Sequence, residues 1–198
     1  RDDLPGINGI TMDPTRRRLF ADEFRPGGRL WELDPAGEKP PTLLLDDLFT
    51  PNALAMGPDG ALWFPLVMAG EIWRYDLDER SARCVFRDLA APCAVKFDSA
   101  GRLLTPQAGT GEVTRIDLIT GAREVIALAA RGIDNIAVSP DDRLFVSHFT
   151  DGRVAEWSAA GERVLSRSGL VGPYGIAAAA DGSVVVADGL SVARVDVD

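Results

Sequence analysis

The chain has 198 residues, 46% apolar and 26% charged, the balance of one soluble globular domain with enough length for a core of its own. Its 21 Lys and Arg stand against 30 Asp and Glu, giving a net charge of −9, so no nucleic acid and no anionic membrane are expected as partners. No apolar run reaches the ~18 residues of a membrane helix, and no secretory apolar segment is visible.

Taken in chain order, five segments share one layout: 6–22, 50–65, 91–106, 132–147 and 172–187. Each opens on small, Pro or Gly residues, runs through a short apolar stretch and a turn, and ends in a second apolar stretch. The second stretches are Leu19-Phe20-Ala21, Leu62-Trp63-Phe64, Leu103-Leu104-Thr105, Leu144-Phe145-Val146 and Val184-Val185-Val186. The last four begin at 62, 103, 144 and 184, a period of 41, 41 and 40 residues. Four strands fit within each period. Strand A is Ile10-Thr11-Met12 or Leu54-Ala55-Met56, followed by a turn of the Pro58-Asp59-Gly60 kind and then strand B. Strand C is 29–33, 71–75, 112–116 or 153–157, and strand D is 42–45, 84–86, 125–128 or 163–165.

Four antiparallel strands repeating every ~40 residues predict an all-β chain, a β-propeller of four-stranded antiparallel blades. A β-sandwich also has short strands at close spacing, but it does not repeat its sequence. The chain reads as a single propeller domain with five visible repeats, starting near 6, 50, 91, 132 and 172, the last incomplete. Asp2-Asp3-Leu4 matches Asp46-Asp47-Leu48, the tail of a strand D. With Arg1 in place of Met and the fifth repeat incomplete, the chain is expected to be an excerpt of a longer propeller, part of a larger ring.

Alternating strand direction sorts the loops. Asp13, Asp59, Asp98, Asp141, Asp142 and Asp181 fall in A–B turns, and Asp34, Asp76, Asp78 and Asp117 in or beside C–D turns, where short carboxylates bond local backbone. The residues leading into strand A are different: Asn8, Asn52, Cys93, Asp134 and Tyr174. Two amides and a carboxylate at one position of the repeat, with Asn135 beside Asp134, suit a hard divalent cation, with calcium the expected ion. The competing reading is that these side chains cap the D–A loop. The B–C loops share that end of the blades and supply a substrate rim of Glu23, Phe24, Met68, Gln107, Phe149 and, from strand A, Tyr174. Glu23 is also a candidate ligand there. His148, the single histidine, is either a catalytic group at that rim or a packed side chain. Cys84 on an outer strand and Cys93 on an inner one stand too far apart to join. Two free thiols and no signal segment suit the cytoplasm.

The stretches Asn8-Gly9-Ile10-Thr11-Met12-Asp13-Pro14, 51–60 (Pro51-Asn52 through Asp59-Gly60) and Ile133-Asp134-Asn135-Ile136-Ala137-Val138 resemble the SMP-30/gluconolactonase/LRE-like family. The Asp134-Asn135 step is similar to that of the related paraoxonase-type propellers. The resemblance implies a six-bladed propeller with one divalent metal in its channel, hydrolysing lactones or related esters. It implies Asn8, Asn52 and Asp134 as metal ligands and Asp134 as the candidate catalytic base, roles that compete because a cation depresses a carboxylate's pKa. The Glu ligand of the family's early blade is not visible, and Cys93 stands between Asn52 and Asp134. A non-catalytic NHL-like propeller binding a protein or small ligand is one alternative. The other is a streptogramin-type propeller lyase, which the Asp59-Gly60-Ala61-Leu62-Trp63-Phe64 run resembles and which needs a histidine acid/base.

Overall fold

Alternating polar and apolar residues between tight turns build hairpins, and the hairpins here join into short meanders. The computed structural model describes residues 4, 6–13, 15–166 and 170–197. Blade 1 comprises β1 (Ile7–Asp13), β2 (Arg18–Glu23), β3 (Pro26–Leu33) and β4 (Thr42–Phe49). Blade 2 comprises β5 (Ala55–Met56), β6 (Leu62–Leu66), β7 (Glu71–Asp76) and β8 (Ser81–Phe86), with a single 3-10 turn at Val67–Ala69. Blade 3 is β9 (Lys96–Phe97), β10 (Leu103–Gln107), β11 (Glu112–Ile116) and β12 (Arg123–Leu128). Blade 4 is β13 (Ile133–Val138), β14 (Leu144–His148), β15 (Arg153–Ser158) and β16 (Gly161–Ser166). Blade 5 has β17 (Gly175–Ala178), β18 (Val184–Ala187) and β19 (Val192–Val195). Within each sheet the strands pair antiparallel in chain order, so the fold is all-β: a β-propeller with five blades, the last with three strands among the described residues. The Asp2-Asp3 match to a strand D tail lies outside the described residues.

The chain divides into two compact units, Arg1–Val95 and Lys96–Asp198. The first is built on blades 1 and 2, and its core joins Phe20, Leu30 and Leu48 to Leu54, Leu62, Phe64, Tyr75 and Leu77. The second holds two apolar layers, one on each side of β14. Leu144 and Val146 pack with Leu104, Val113 and Ile136, whereas Phe145 packs with Val154, Ile176, Val184 and Val186. A strand buried on both faces needs no polar alternation, which is why strand B reads as an unbroken apolar run in the sequence.

The turn carboxylates do what short acidic side chains do at turns. Asp34 accepts from the backbone N–H of Glu38 and Lys39, Asp76 from Asp78 and Glu79, and Asp117 from Ile119 and Thr120. These backbone donors hold all three below the usual carboxylate range. Asp142 instead reaches across to the preceding blade, taking the N–H and hydroxyl of Ser99 at 2.7 and 2.5 Å. Cys84 and Cys93 are free thiols, each directed at a nearby backbone carbonyl. Among the described residues, no helix is long and apolar enough to cross a membrane.

Candidate functional site

The residues leading into the inner strands are displayed by β-bulges. In blade 1, Ile7 faces Glu23 and Ile10 faces Ala21, so Asn8 and Gly9 together oppose the single residue Asp22. Asp22 is fully buried and accepts from Gly9 N at 2.9 Å and from Leu54 N at 3.3 Å. One carboxylate therefore fastens the inner edges of both blades of the first unit. Blade 2 carries an extra residue at the same place: Pro51 bridges Leu66 and Ala55 pairs with Trp63, with Ala53 at φ 39° between them. The outcome is that two predicted ligands meet, Asn8 Nδ2 donating to Asn52 Oδ1 at 2.7 Å. The approach is close enough that a Cβ on Gly9 would lie 2.8 Å from the Ala53 backbone and 2.5 Å from Asp22 Oδ2. Gly9→Ala is expected to destabilise the protein by about 1–3 kcal/mol, read from the urea midpoint, because two of the obstructing atoms are Ala53 main chain and the third belongs to the buried, hydrogen-bonded Asp22 carboxylate.

The second unit repeats the device. Ile133 faces His148 and Ile136 faces Val146, leaving Asp134 and Asn135 opposite Ser147. The Ser147 hydroxyl bonds both backbone groups of Asn135, at 3.2 Å to its N–H and 3.3 Å to its C=O. The Asn135 amide is occupied locally: Nδ2 donates to Tyr174 O at 3.2 Å and Oδ1 accepts from Ile136 N at 2.9 Å. Asn135 thus acts as a loop tie, the role that the capping reading gives it. Asp134 differs from every other acid described so far. Its carboxylate is partly buried, has no hydrogen-bond or ion-pair partner among the described residues, and is pushed up to about 6 by that burial alone.

The expected rim divides. Phe24, Met68, Phe149 and Tyr174 are exposed, and the Phe149 and Tyr174 rings lie 5.5 Å apart beside the Asp134–Asn135 bulge that Tyr174 helps to tie. Glu23, Gln107 and His148 are not at a rim. Each is the last residue of a strand B, and its side chain turns back along its own blade toward strand C. Glu23 is fully buried, bonded by Arg25, Arg29 and the Trp31 indole N–H. Burial pushes its pKa up, but these donors outweigh burial and hold it below the usual range. Its oxygens are spent on that cluster, which corrects the expectation of a further cation ligand. Gln107 donates to Thr114 Oγ1 at 2.7 Å. His148 is fully buried, with Arg153 NH2 at 3.4 Å from Nδ1 and Glu162 Oε1 at 3.8 Å from Nε2. Burial first, then the Arg153 charge, lowers its pKa and keeps it neutral. An enclosed, neutral imidazole packed inside a blade is the alternative that the sequence left open for it.

Asp22 and Ser147 are the residues that sequence reasoning missed. Their signal was the fourth position of strand B, which reads Asp22, Pro65, Pro106, Ser147 and Ala187 through the repeats. The two polar residues in that row are the ones that bond the bulges of blades 1 and 4. Among the described residues no three His, Cys, Asp or Glu side chains group as a metal would need. The donor set that the sequence suggested is different, one carboxylate with amides, and the orphaned carboxylate of Asp134 is the feature that fits a cation.

No protein-family model matches the chain, and no curated protein is similar enough in sequence to match it. Solved structures do match. A gluconolactonase from Xanthomonas campestris has a TM-score of 0.80 at 18% identity, over 95% of this chain and 71% of that one. A catalytically inactive His-to-Ala variant of virginiamycin B lyase from Staphylococcus aureus, with quinupristin, has a TM-score of 0.73 at 16% identity, over 96% and 66%. A chain of a nidogen–laminin complex has a TM-score of 0.71 at 21% identity, over 84% and 64%. The chain spans about two thirds of the length of these proteins. At such identities the likeness shows a fold shared by gluconolactonase-type and streptogramin lyase propellers, and that fold hosts different chemistries.

Proposed function

We propose that the chain belongs to a cation-dependent hydrolase of lactones or related esters. The observation that carries this reading is Asp134, a carboxylate displayed by a bulge, steadied through Ser147 and left without a protein partner in a partly buried place. An ionised carboxylate there is costly unless a cation accompanies it. Asp134 would supply the anionic oxygen for that ion, and calcium is the ion that the sequence resemblance implies. A bound divalent cation supplies Lewis-acid polarisation of an ester carbonyl. The chain's own groups do the rest. Without a cation, Asp134 has the basicity to accept a proton from water near neutral pH, and the exposed Phe149–Tyr174 pair offers apolar surface to a carbon skeleton. The enclosure of His148 disfavours the lyase reading, in which a histidine must reach the substrate.

The test is hydrolysis of a panel of sugar and aliphatic lactones, with calcium and after EDTA. Asp134→Asn is expected to lower kcat/KM by about 100-fold or more, the usual scale for losing a positioned base or its ion. Turnover that is indifferent to EDTA and to Asp134→Asn would overturn the reading, as would no turnover of any lactone with calcium present.

A further inference from the structure

The turn between β14 and β15, residues 149–152, is fastened by the groups around the protein's single histidine. In β14, Leu144, Val146 and His148 share one face, and the layer packed on it from blade 3 is apolar: Leu104, Val113 and Ala127. His148 is fully buried on that face, and its Nε2 has no hydrogen-bond partner among the described residues. Blade 3 shows what is missing. Gln107 ends β10 as His148 ends β14, and it donates to Thr114 of the adjacent strand. Thr114 stands opposite Thr105, and the corresponding residue of blade 4, opposite Val146, is Ala155. Alanine offers no acceptor, so the ring nitrogen stays unsatisfied.

The charges that act on His148 come from three places: Arg153 of β15, Asp151 of the turn and Glu162 of β16. On β13 its partner is Ile133, and the adjoining Asp134 is shifted by burial alone, so it takes no part. Arg153 NH2 lies 3.4 Å from Nδ1. A guanidinium only donates, so Nδ1 keeps its lone pair and the ring proton resides on Nε2. Glu162 Oε1 is 3.8 Å from that Nε2, too far for a hydrogen bond and near enough to attract a charge. Arg153 also lies 3.1 Å from Glu162 Oε1 and 3.0 Å from Asp151 Oδ2, and its backbone N–H donates to Asp151 Oδ1 at 3.1 Å. One guanidinium thus ties the histidine, the turn and the outer strand together.

We propose that His148, Arg153 and Glu162 form a proton-operated latch on the β14–β15 turn. A second ring proton, taken from solvent, goes to Nδ1, the lone pair that Arg153 occupies. Donor then faces donor and charge faces like charge, so Arg153 leaves the ring. The imidazolium draws Glu162 across the gap, and Arg153 keeps Asp151. The closed latch has one cation for two carboxylates, whereas the open latch has two cations for two, and a buried imidazolium needs such a partner. Phe149 is the first residue of the turn, and its ring lies 5.5 Å from that of Tyr174, so releasing the turn parts the aromatic pair. Burial and Arg153 hold the His148 pKa below its ordinary 6.5 against the pull of Asp151 and Glu162, so the latch is shut at neutral pH and opens on acidification. The latch needs no hydrolysis; only its effect on a substrate resting on Phe149 and Tyr174 depends on the proposed function.

With one histidine in the chain, nuclear magnetic resonance reads the latch without substrate. Long-range nitrogen–proton correlations are expected to show the Nε2–H tautomer at about pH 8 and a midpoint below 6.5. The Phe149–Tyr174 ring-to-ring Overhauser effect is expected to fade with that same midpoint. His148→Gln, the side chain that blade 3 uses at this position, is expected to keep the ring contact at every pH. Glu162→Gln is expected to lower the His148 midpoint by about one pH unit, the scale of losing an opposite charge nearby. The Nδ1–H tautomer at about pH 8, a midpoint at or above 6.5, or a midpoint unmoved by Glu162→Gln overturns the proposal. So does a ring contact that ignores the charge of His148, or that fades equally in His148→Gln. Each of these outcomes is independent of whether any lactone is hydrolysed.

Discussion

Asp22→Ala is expected to lower the unfolding free energy by about 2–5 kcal/mol. The carboxylate satisfies two buried backbone donors, Gly9 N and Leu54 N, and each donor left unpaired costs about 1–3 kcal/mol. Alanine replaces neither acceptor, and the main chain around Gly9 is too close to Ala53 to rearrange and find others. Asp22→Asn keeps one carbonyl oxygen and is expected to lose roughly half as much, which separates the acceptors from the charge. Urea denaturation reads both. A loss under about 0.5 kcal/mol in the alanine variant would mean that water reaches the bulge and takes over the carboxylate's role. The contrast is with ion pairs on the surface such as Arg16–Asp78, whose partners are 49% and 79% exposed and whose removal is expected to matter by less than about 1 kcal/mol. The abundance of acid in this chain is therefore a poor guide to where acid counts.

The frame of the protein was legible because repetition and apolar runs are properties of the sequence itself. Strand B recurs at 62, 103, 144 and 184, and in β6, β10 and β14 every residue is buried, so the signal is continuous and strong. The candidate site was legible in its residue types and not in its geometry. A bulge adds one residue to one strand, and nothing in Asn8-Gly9 or Asp134-Asn135 distinguishes an extra residue from a loop that starts one position later. The same ambiguity of one residue misplaced Glu23, Gln107 and His148. As loop residues they would face solvent, but as the last residues of β2, β10 and β14 they are inside. The alternation of a strand makes such an error total, since moving one position reverses the face. Arg25, Arg29 and Trp31 were the available correction: three donors within eight residues of a lone Glu mark a carboxylate that is already engaged.

Removing the charge of Asp134 is expected to stabilise the cation-free protein at pH 7 by about 3 kcal/mol and to abolish most of its response to calcium. Its folded pKa is about 6, against 3.8 for the same group in water, because burial disfavours the ionised form. Between those values the unfolded chain has released a proton that the folded chain still holds, so stability falls as pH rises from about 4 and levels off above about 6. At about 1.36 kcal/mol per pH unit the total is about 3 kcal/mol. Glu23, Glu32 and Glu156, held below their ordinary range with arginine partners, give the opposite slope and lose their contribution as the pH is lowered. The raw stability curve therefore mixes both signs, and the difference between wild type and Asp134→Asn isolates the one group. That difference is expected to be near zero at pH 4 and to open through pH 6, as read by urea denaturation across the range. Calcium at 100 times its Kd adds about 2.7 kcal/mol to a protein that binds it only when folded, nearly offsetting the burial of the charge. The same calcium added to Asp134→Asn should add much less. If the two curves run parallel from pH 4 to pH 7, Asp134 is solvated or paired in the folded protein, and it is not the carboxylate around which a cation site is built.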